Sequence, residues 1–273
     1  MRVVLISEVA PAVEGLAALL RAEGHDPVAL MCVRHDPARY TGLEELVRSA
    51  PPEADVVMPG SRDRIAALLR HFAPDLALCL GFPWKIPPEA LAVPRHGIVN
   101  GHPSLLPRYR GPSPVAWAIR NGENEVGFTF HYMDAALDTG NILAQERVPL
   151  GDEYGWEELT PKLATAVGNL LPRVLERVER GDAGEPQNES EASYFRPFEP
   201  EYAWIDWSCS VDEIARQVRA WCFFSAGTAD RGALATIDGE TVRVLRVSRE
   251  PATGCRAMTC ADGTLWIVET EAA

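Results

Sequence analysis

The chain has 273 residues, a formal net charge of -13, 47% hydrophobic residues and 24% charged residues. This composition is typical of a soluble globular protein that can bury the core of one large or two modest domains. The acidic balance disfavours a nucleic-acid partner, because contacts with phosphates need clustered Lys and Arg side chains.

The cysteines and the hydropathy of the chain indicate its cellular compartment and whether it associates with a membrane. The six cysteines are scattered and form no C-x-x-C pair, so we expect free thiols and a cytoplasmic protein. No apolar run approaches the roughly 20 residues of a membrane span, and the N-terminus enters an apolar strand without a signal-peptide pattern. We therefore expect no membrane partner, and we assign no metal ligands.

The first part of the chain alternates apolar runs with segments of helical period. Buried strands are predicted at 2–6, 27–33, 55–58, 75–80 and 97–100. Helices are predicted at 11–23, 42–49, 61–72 and 113–120, the last with Ser113 as its cap. This order predicts an α/β fold with a Rossmann-like, mainly parallel sheet. A G-x-G-x-x-G loop is missing, so the pattern does not indicate dinucleotide binding.

The second part begins with two strands and a long helix. They are predicted at 126–133, 142–148 and, after a Thr160 cap, 161–180. The composition then changes to Gly, Pro, Ser and Glu without a sustained period, which predicts a linker over 182–200. We expect one domain on each side of it, over 1–181 and 201–273.

Residues 201–273 predict a small, mostly β, OB-like domain. Ser210 and Glu213 form a capping-box pattern that begins a helix reaching about Trp221. Strand-like runs follow at 233–237, 241–247, 256–260 and 264–268, and Asp-Gly pairs in two of the intervals indicate hairpins. An exposed apolar patch on this domain would allow a homodimer.

The most informative stretch is 97–111. Its apolar strand ends in Asn100 and His102, which are two residues apart and therefore share one face of the strand. An amide donor beside an imidazole suits chemistry at a carbonyl carbon.

Three motifs carry a family resemblance. They are Asn-Gly-His-Pro-Ser-Leu-Leu-Pro-Arg-Tyr-Arg-Gly at 100–111, Gly-Phe-Thr-Phe-His at 127–131 and Leu-Asp-Thr-Gly at 137–140. They resemble the formyltransferases that use N10-formyltetrahydrofolate as co-substrate, over roughly residues 70–180. More weakly, 203–208 and the helix after them are similar to the start of the C-terminal domain of methionyl-tRNA formyltransferases.

The resemblance implies a catalytic triad of Asn100, His102 and Asp138. Asn100 and His102 would stabilise the oxyanion formed when an amine attacks the formyl carbon, and His102 with Asp138 would relay protons. Two segments would hold the folate, with the residues Phe82, Trp84, Lys85, Ile86, Asp134, Ala136 and Leu137. Candidate contacts of the acceptor substrate are Ser104, Arg110 and His131, although a structural role for His131 has equal weight.

The acceptor is the open question. From residue 201 onward the chain has seven Arg and no Lys against eleven Asp and Glu, which disfavours tRNA. We therefore expect a small-molecule amine, such as an amino-sugar nucleotide or a natural-product intermediate. The alternatives are a methionyl-tRNA formyltransferase, a hydrolase of 10-formyltetrahydrofolate and a non-catalytic folate-binding module.

Overall fold

The computed structural model describes residues 1–33, 42–225, 231–251 and 253–273, and its largest sheet has seven strands. These are β1 (Arg2–Ser7), β2 (Asp26–Met31), β3 (Asp55–Val57), β4 (Leu76–Leu80), β5 (Ile98–His102), β6 (Glu125–Tyr132) and β7 (Ile142–Pro149). Their order is β3-β2-β1-β4-β5-β6-β7. The pairs among β1 to β5 are parallel, whereas β6 is antiparallel to β5. The predicted Rossmann-like, mainly parallel sheet is confirmed.

Helices follow most of these strands. They are α1 (Ala10–Ala22), α2 (Leu43–Ser49), α3 (Ile65–Phe72), α4 (Pro88–Leu91), α5 (Pro114–Arg120), α6 (Trp156–Glu179) and α7 (Val211–Phe224). The apolar face of α3, with Ile65, Leu69 and Phe72, is buried in the same core cluster as Val4 and Ile6 of β1. Val3 and Leu5, on the other face of β1, are buried as well, and burial of both faces explains why the strand reads as an unbroken apolar run.

The predicted start of the long helix, with Thr160 as its cap, is wrong, because Thr160 lies inside α6. Helix α6 begins at Trp156 rather than at 161, because Trp156 donates its Nε1–H to the Phe223 carbonyl oxygen at 3.0 Å and packs edge-on against that ring. This packing stabilises the first turn of α6, although Pro161 within the helix has no backbone N–H and leaves one helical hydrogen bond unmade. Ser113 does occupy the N-cap of α5, but its side chain makes no capping hydrogen bond.

The chain divides into two compact units. Unit 1 comprises Met1–Gly111, Gly127–Val148 and Lys162–Tyr194, and unit 2 comprises Pro112–Val126, Pro149–Pro161 and Phe195–Ala273. The prediction that 1–181 and 201–273 fold as separate domains is a different statement from this division, and it stays a prediction.

Unit 2 contains a four-stranded sheet. Its strands are β8 (Ala233–Ile237), β9 (Glu240–Ser248), β10 (Arg256–Thr259) and β11 (Thr264–Ala272), in the order β10-β11-β9-β8 with antiparallel pairs. The predicted small, mostly β part of the chain is confirmed as an antiparallel sheet. The capping box of Ser210 and Glu213 is confirmed at the start of α7. Asp238 and Gly239, with φ of 54° and 85°, make the predicted turn between β8 and β9.

Among the described residues, no helix combines the length and hydropathy that crossing a membrane requires.

Candidate active site

The site lies in unit 1, where β5 pairs with β6. The register places Asn100 directly opposite His131, and their side chains meet with Asn100 Nδ2 3.1 Å from His131 Nε2. Nδ1 of His131 lies 2.8 Å from the Tyr132 carbonyl oxygen. That oxygen can only accept, so Nδ1 carries the proton and Nε2 accepts from the Asn100 amide.

This arrangement requires a neutral His131. Burial, and secondarily the neighbouring His102, lowers the pKa of His131 to about 4. The hydrogen bond fixes which way the Asn100 amide faces. It uses one of the two amide hydrogens and leaves the other available as a donor.

His102 is buried, and its two ring nitrogens have different surroundings. Nε2 lies 2.9 Å from the Tyr109 carbonyl oxygen and therefore donates to it. Nδ1 faces Asp138, whose Oδ1 is 3.8 Å away. This distance exceeds that of a direct hydrogen bond. Nδ1 is consequently the nitrogen that can accept or release a proton beside the carboxylate.

Asp138 is held in a specific orientation. Its Oδ2 accepts the Gly111 N–H at 2.8 Å, while its Oδ1 lies 3.8 Å from both His102 Nδ1 and His131 Nε2. Its backbone has a φ of 58°, a left-handed conformation in which Asp is enriched among non-glycine residues. The structure thus brings the three predicted catalytic side chains together, with His131 beside them.

The loop that carries Asp138 begins beside the amino end of β5, because β6 runs in the opposite direction. The Met133 N–H donates to the Ile98 carbonyl oxygen, and the loop then returns so that Asp138 reaches His102. Asp134 stabilises the turn by accepting from the Ala136 N–H at 3.0 Å and the Thr139 hydroxyl at 2.6 Å. Ala136 and Leu137 are exposed.

The second predicted folate segment follows β4. Phe82 and Trp84 pack edge to face, with their ring centres 5.9 Å apart, and both lie against the core. Ile86 is 1% exposed over the whole residue, so neither its side chain nor its backbone offers surface to a ligand. An open depression is lined by Pro83, Trp84, Lys85 and Arg62.

The side chains of the other two predicted substrate contacts, Ser104 and Arg110, form hydrogen bonds within the protein. Ser104 is buried and its hydroxyl donates to the Arg108 carbonyl oxygen at 2.9 Å. The side chain of Arg110 is 7% exposed, and its guanidinium donates hydrogen bonds to Gln187 and Glu189. Both side chains are thus engaged within the protein, and their role as direct contacts of the acceptor stays a prediction.

A buried thiol lies next to the site. Cys79 pairs with Asn100 across β4 and β5, and burial, with a smaller contribution from Asp138, raises the pKa of this thiol to about 12. The thiol therefore stays protonated and is a poor nucleophile. Among the described residues, no group of three or more His, Cys, Asp or Glu side chains is arranged to hold a metal.

Sequence reasoning missed three residues near these elements: Arg62, Gln187 and Glu189. Arg62 lies far from any motif, and the other two lie in the segment predicted as a linker. A charged or amide residue in a Gly-, Pro- and Ser-rich segment carries no periodic signal, so nothing in the sequence pattern singles it out.

A family model described as formyl transferase matches residues 1–175, well over half of the chain. The chain belongs to the formyl transferase family. The predicted family resemblance is therefore confirmed.

Two relatives of this formyl transferase family member illustrate the similarity. The methionyl-tRNA formyltransferase of Geobacter metallireducens is 34% identical over 185 residues, which cover 67% of this chain and 58% of that protein. The methionyl-tRNA formyltransferase of Anaeromyxobacter dehalogenans (strain 2CP-1) is 35% identical over 256 residues, covering 90% and 78%. The match therefore spans less than two thirds of the Geobacter protein.

Solved structures share the fold. HypX from Aquifex aeolicus in complex with tetrahydrofolic acid has a TM-score of 0.73 and 21% identity, covering 99% of this chain and 44% of HypX. The N-formyltransferase from Helicobacter canadensis in complex with folinic acid and dTDP-3-aminofucose has a TM-score of 0.67 and 19% identity, covering 99% and 100%.

Proposed function

We propose that this formyl transferase family member transfers a formyl group from N10-formyltetrahydrofolate to the primary amine of a small molecule. The observation that carries the proposal is the convergence of Asn100, His102 and Asp138. Asp138 Oδ1 lies 3.8 Å from His102 Nδ1, and the Asn100 amide is oriented on the same strand, two residues away.

The proposed reaction is a direct transfer of the formyl group from N10 of the folate to the amine of the acceptor. A bond forms between the acceptor nitrogen and the formyl carbon, the bond from that carbon to N10 breaks, and one proton moves from the acceptor nitrogen to N10. Asn100 donates its free amide hydrogen to the developing oxyanion, an interaction worth about 3 kcal/mol of the barrier. His102 Nδ1 and the Asp138 carboxylate carry the proton between the two nitrogens.

The residues after β4 fit a folate co-substrate. Trp84 offers an aromatic surface for a flat ring, and Arg62 and Lys85 in the same depression offer cations for the carboxylates of a glutamate group. We therefore propose that Phe82, Trp84 and Lys85 bind the folate and that Ile86 anchors this segment in the core. The second set of proposed folate contacts is Asp134, Ala136 and Leu137.

The net negative charge of the region after residue 201 favours a small-molecule acceptor over tRNA. The eleven acids against seven Arg and no Lys after residue 201 do not provide a surface for a polyanion. The Helicobacter N-formyltransferase, whose fold this chain shares, is in complex with dTDP-3-aminofucose. We propose an amino-sugar nucleotide as the acceptor class to be tested first.

The second candidate is formylation of methionyl-tRNA. It is favoured by two relatives of that name, which are 34% and 35% identical to this chain. The two candidates use the same triad and differ only in the acceptor.

The experiment is an acceptor panel with the full chain and N10-formyltetrahydrofolate. Release of tetrahydrofolate is followed with an amino-sugar nucleotide, with methionyl-tRNA and without amine. Turnover with the sugar supports the proposal, and turnover only with the tRNA establishes the second candidate. Equal turnover without amine indicates a hydrolase, and donor binding without turnover indicates a non-catalytic module; either result overturns the proposal.

A further inference from the structure

Residues 183–194, which we call the strap, run across unit 1 and are anchored at both ends. Glu185 and Ile142 exchange two backbone hydrogen bonds of 2.8 and 2.9 Å. At the other end, Arg110 donates its backbone N–H to the Ser193 carbonyl oxygen, and the Ser193 N–H bonds to the Pro107 carbonyl oxygen. The strap thus connects the loop after β5 with the start of β7.

Between the anchors, the Gln187 amide reaches the loop of Asp138. Its Nε2 donates to the carbonyl oxygen of Asp138 at 2.9 Å and to that of Gly140 at 2.8 Å. Its Oε1 accepts from Nε and Nη2 of Arg110, at 3.1 and 2.7 Å. Both amide hydrogens and both oxygen lone pairs are therefore used.

Arg110 holds Gln187 in this orientation. Its side chain is 7% exposed, and its guanidinium also donates to the Glu189 carboxylate from Nη1 at 3.0 Å and from Nη2 at 2.6 Å. Because Arg110 can only donate, the Gln187 oxygen must face it and the Gln187 nitrogen must face the loop. The hydrogen-bonding chemistry thus allows one orientation of the amide.

We infer that Gln187 is a positioning residue for formyl transfer, which keeps the Asp138 carboxylate at its place beside His102. The inference rests on the proposed function, in which Asp138 and His102 carry the proton. Asp138 has a left-handed backbone, and such a conformation persists where surrounding contacts determine it. Gln187 supplies two such contacts, at Asp138 itself and two residues further on.

The test separates the donor side of Gln187 from its acceptor side. Gln187→Glu keeps an oxygen for Arg110 but replaces the donor by an oxygen that repels the two loop carbonyls. Asn188→Asp is the matched control, because it makes the same amide-to-carboxylate change at an adjacent, exposed side chain of the strap that caps a short turn. The full chain is measured for kcat, for KM of donor and acceptor, for thermal midpoint and for amide hydrogen exchange at 134–141.

For Gln187→Glu we expect kcat to fall by roughly tenfold to a hundredfold with KM changed by less than about threefold, since misplacement of a reacting group acts on the chemical step. We expect faster exchange at 134–141 and a thermal midpoint close to that of Asn188→Asp, which keeps the wild-type kcat.

Three kinetic results would overturn the inference: an unchanged kcat, a rise in KM alone, or equal losses in both variants. The exchange measurement keeps the two proposals distinct. If the wild-type protein transfers no formyl group, the proposed function is refuted. If amide hydrogen exchange at 134–141 is nevertheless raised in Gln187→Glu and not in Asn188→Asp, the strap still positions the loop. Unchanged exchange in an active enzyme refutes the positioning role itself.

Discussion

Nε2 of His131 accepts a hydrogen bond from the side-chain amide of Asn100 at 3.1 Å across the antiparallel pair of β5 and β6. The neutral imidazole thereby orients the amide that we propose as oxyanion donor. This contact fits the structural role predicted for His131, and its place in the acceptor pocket stays a prediction.

Replacing His131 by Phe should lower the rate of formyl transfer. Phe keeps the ring volume but removes the acceptor, so the Asn100 amide is free to rotate away from the oxyanion. We expect kcat to fall about tenfold, as for the loss of one hydrogen bond of about 1.4 kcal/mol, with donor KM little changed. Steady-state kinetics measure this, and a variant with wild-type kcat would show that Asn100 needs no such support.

His131 should also make stability depend on pH. Its pKa is about 4 in the folded chain against an ordinary value of 6.5, so between these values the unfolded chain binds more protons. Stability from this group is complete above pH 6.5 and is lost as pH falls towards 4, by up to about 1.4 kcal/mol per pH unit.

Urea unfolding at pH 7, 6 and 5 measures this effect. The wild-type protein should lose stability more steeply towards pH 5 than His131→Phe, which has no imidazole to protonate. Parallel pH dependences of the two proteins would contradict the buried, neutral state of His131.

Gly140 is a steric requirement of the Asp138 loop. A Cβ at this position would lie 1.9 Å from the Tyr132 carbonyl oxygen, so Gly140→Ala must move the backbone next to Asp138. We expect it to lower kcat by roughly a hundredfold, because displacement by about 1 Å suffices for such a loss.

The control is Gly168→Ala, within α6, where an added Cβ meets no atom within 4 Å. It should raise the free energy of unfolding by about 1 kcal/mol and leave kcat unchanged. If Gly140→Ala were as active as this control, the loop would not need its present conformation for catalysis.

Binding to tRNA should be weak at physiological salt. The chain carries a net charge of -13, and the region after residue 201 has more acids than arginines. Without clustered cations, few counterions are released on binding, and affinity from phosphate contacts is small. A mobility-shift titration at two salt concentrations measures this. A tight complex that weakens steeply with salt would contradict the prediction and favour the tRNA candidate.

Much of the fold could be predicted because buried strands and amphipathic helices leave periodic signals. The run at 2–6 and the alternation of Asn100 and His102 are local properties of the backbone, and the structure confirms the parallel sheet they indicated. The predicted start of α6 was wrong because the real start depends on a contact of Trp156 with Phe223, which lies 67 residues away in sequence.

The supporting contacts of the site could not be predicted for a related reason. The pairing of Asn100 with His131 depends on strand register, and the contacts of Gln187 depend on how three distant loops meet. Asp138 was identified only through its family motif, since an Asp in a turn has by itself no catalytic signature. Local patterns and the family motif thus indicated the proposed catalytic side chains, but not the residues that hold them.

The most direct test of formyl transfer at this site is a single-turnover assay with N10-formyltetrahydrofolate and an amine acceptor that the panel identifies. Wild type, His102→Ala, Asp138→Ala and, as an exposed control on α3, His71→Ala are compared, with folding checked by circular dichroism. We expect the His102 and Asp138 variants to lose about 10²- to 10⁴-fold in rate, as is typical when acid–base catalysis is removed. His71→Ala should retain the wild-type rate. Transfer at a near-normal rate by a folded His102→Ala or Asp138→Ala protein would contradict the assignment of this site.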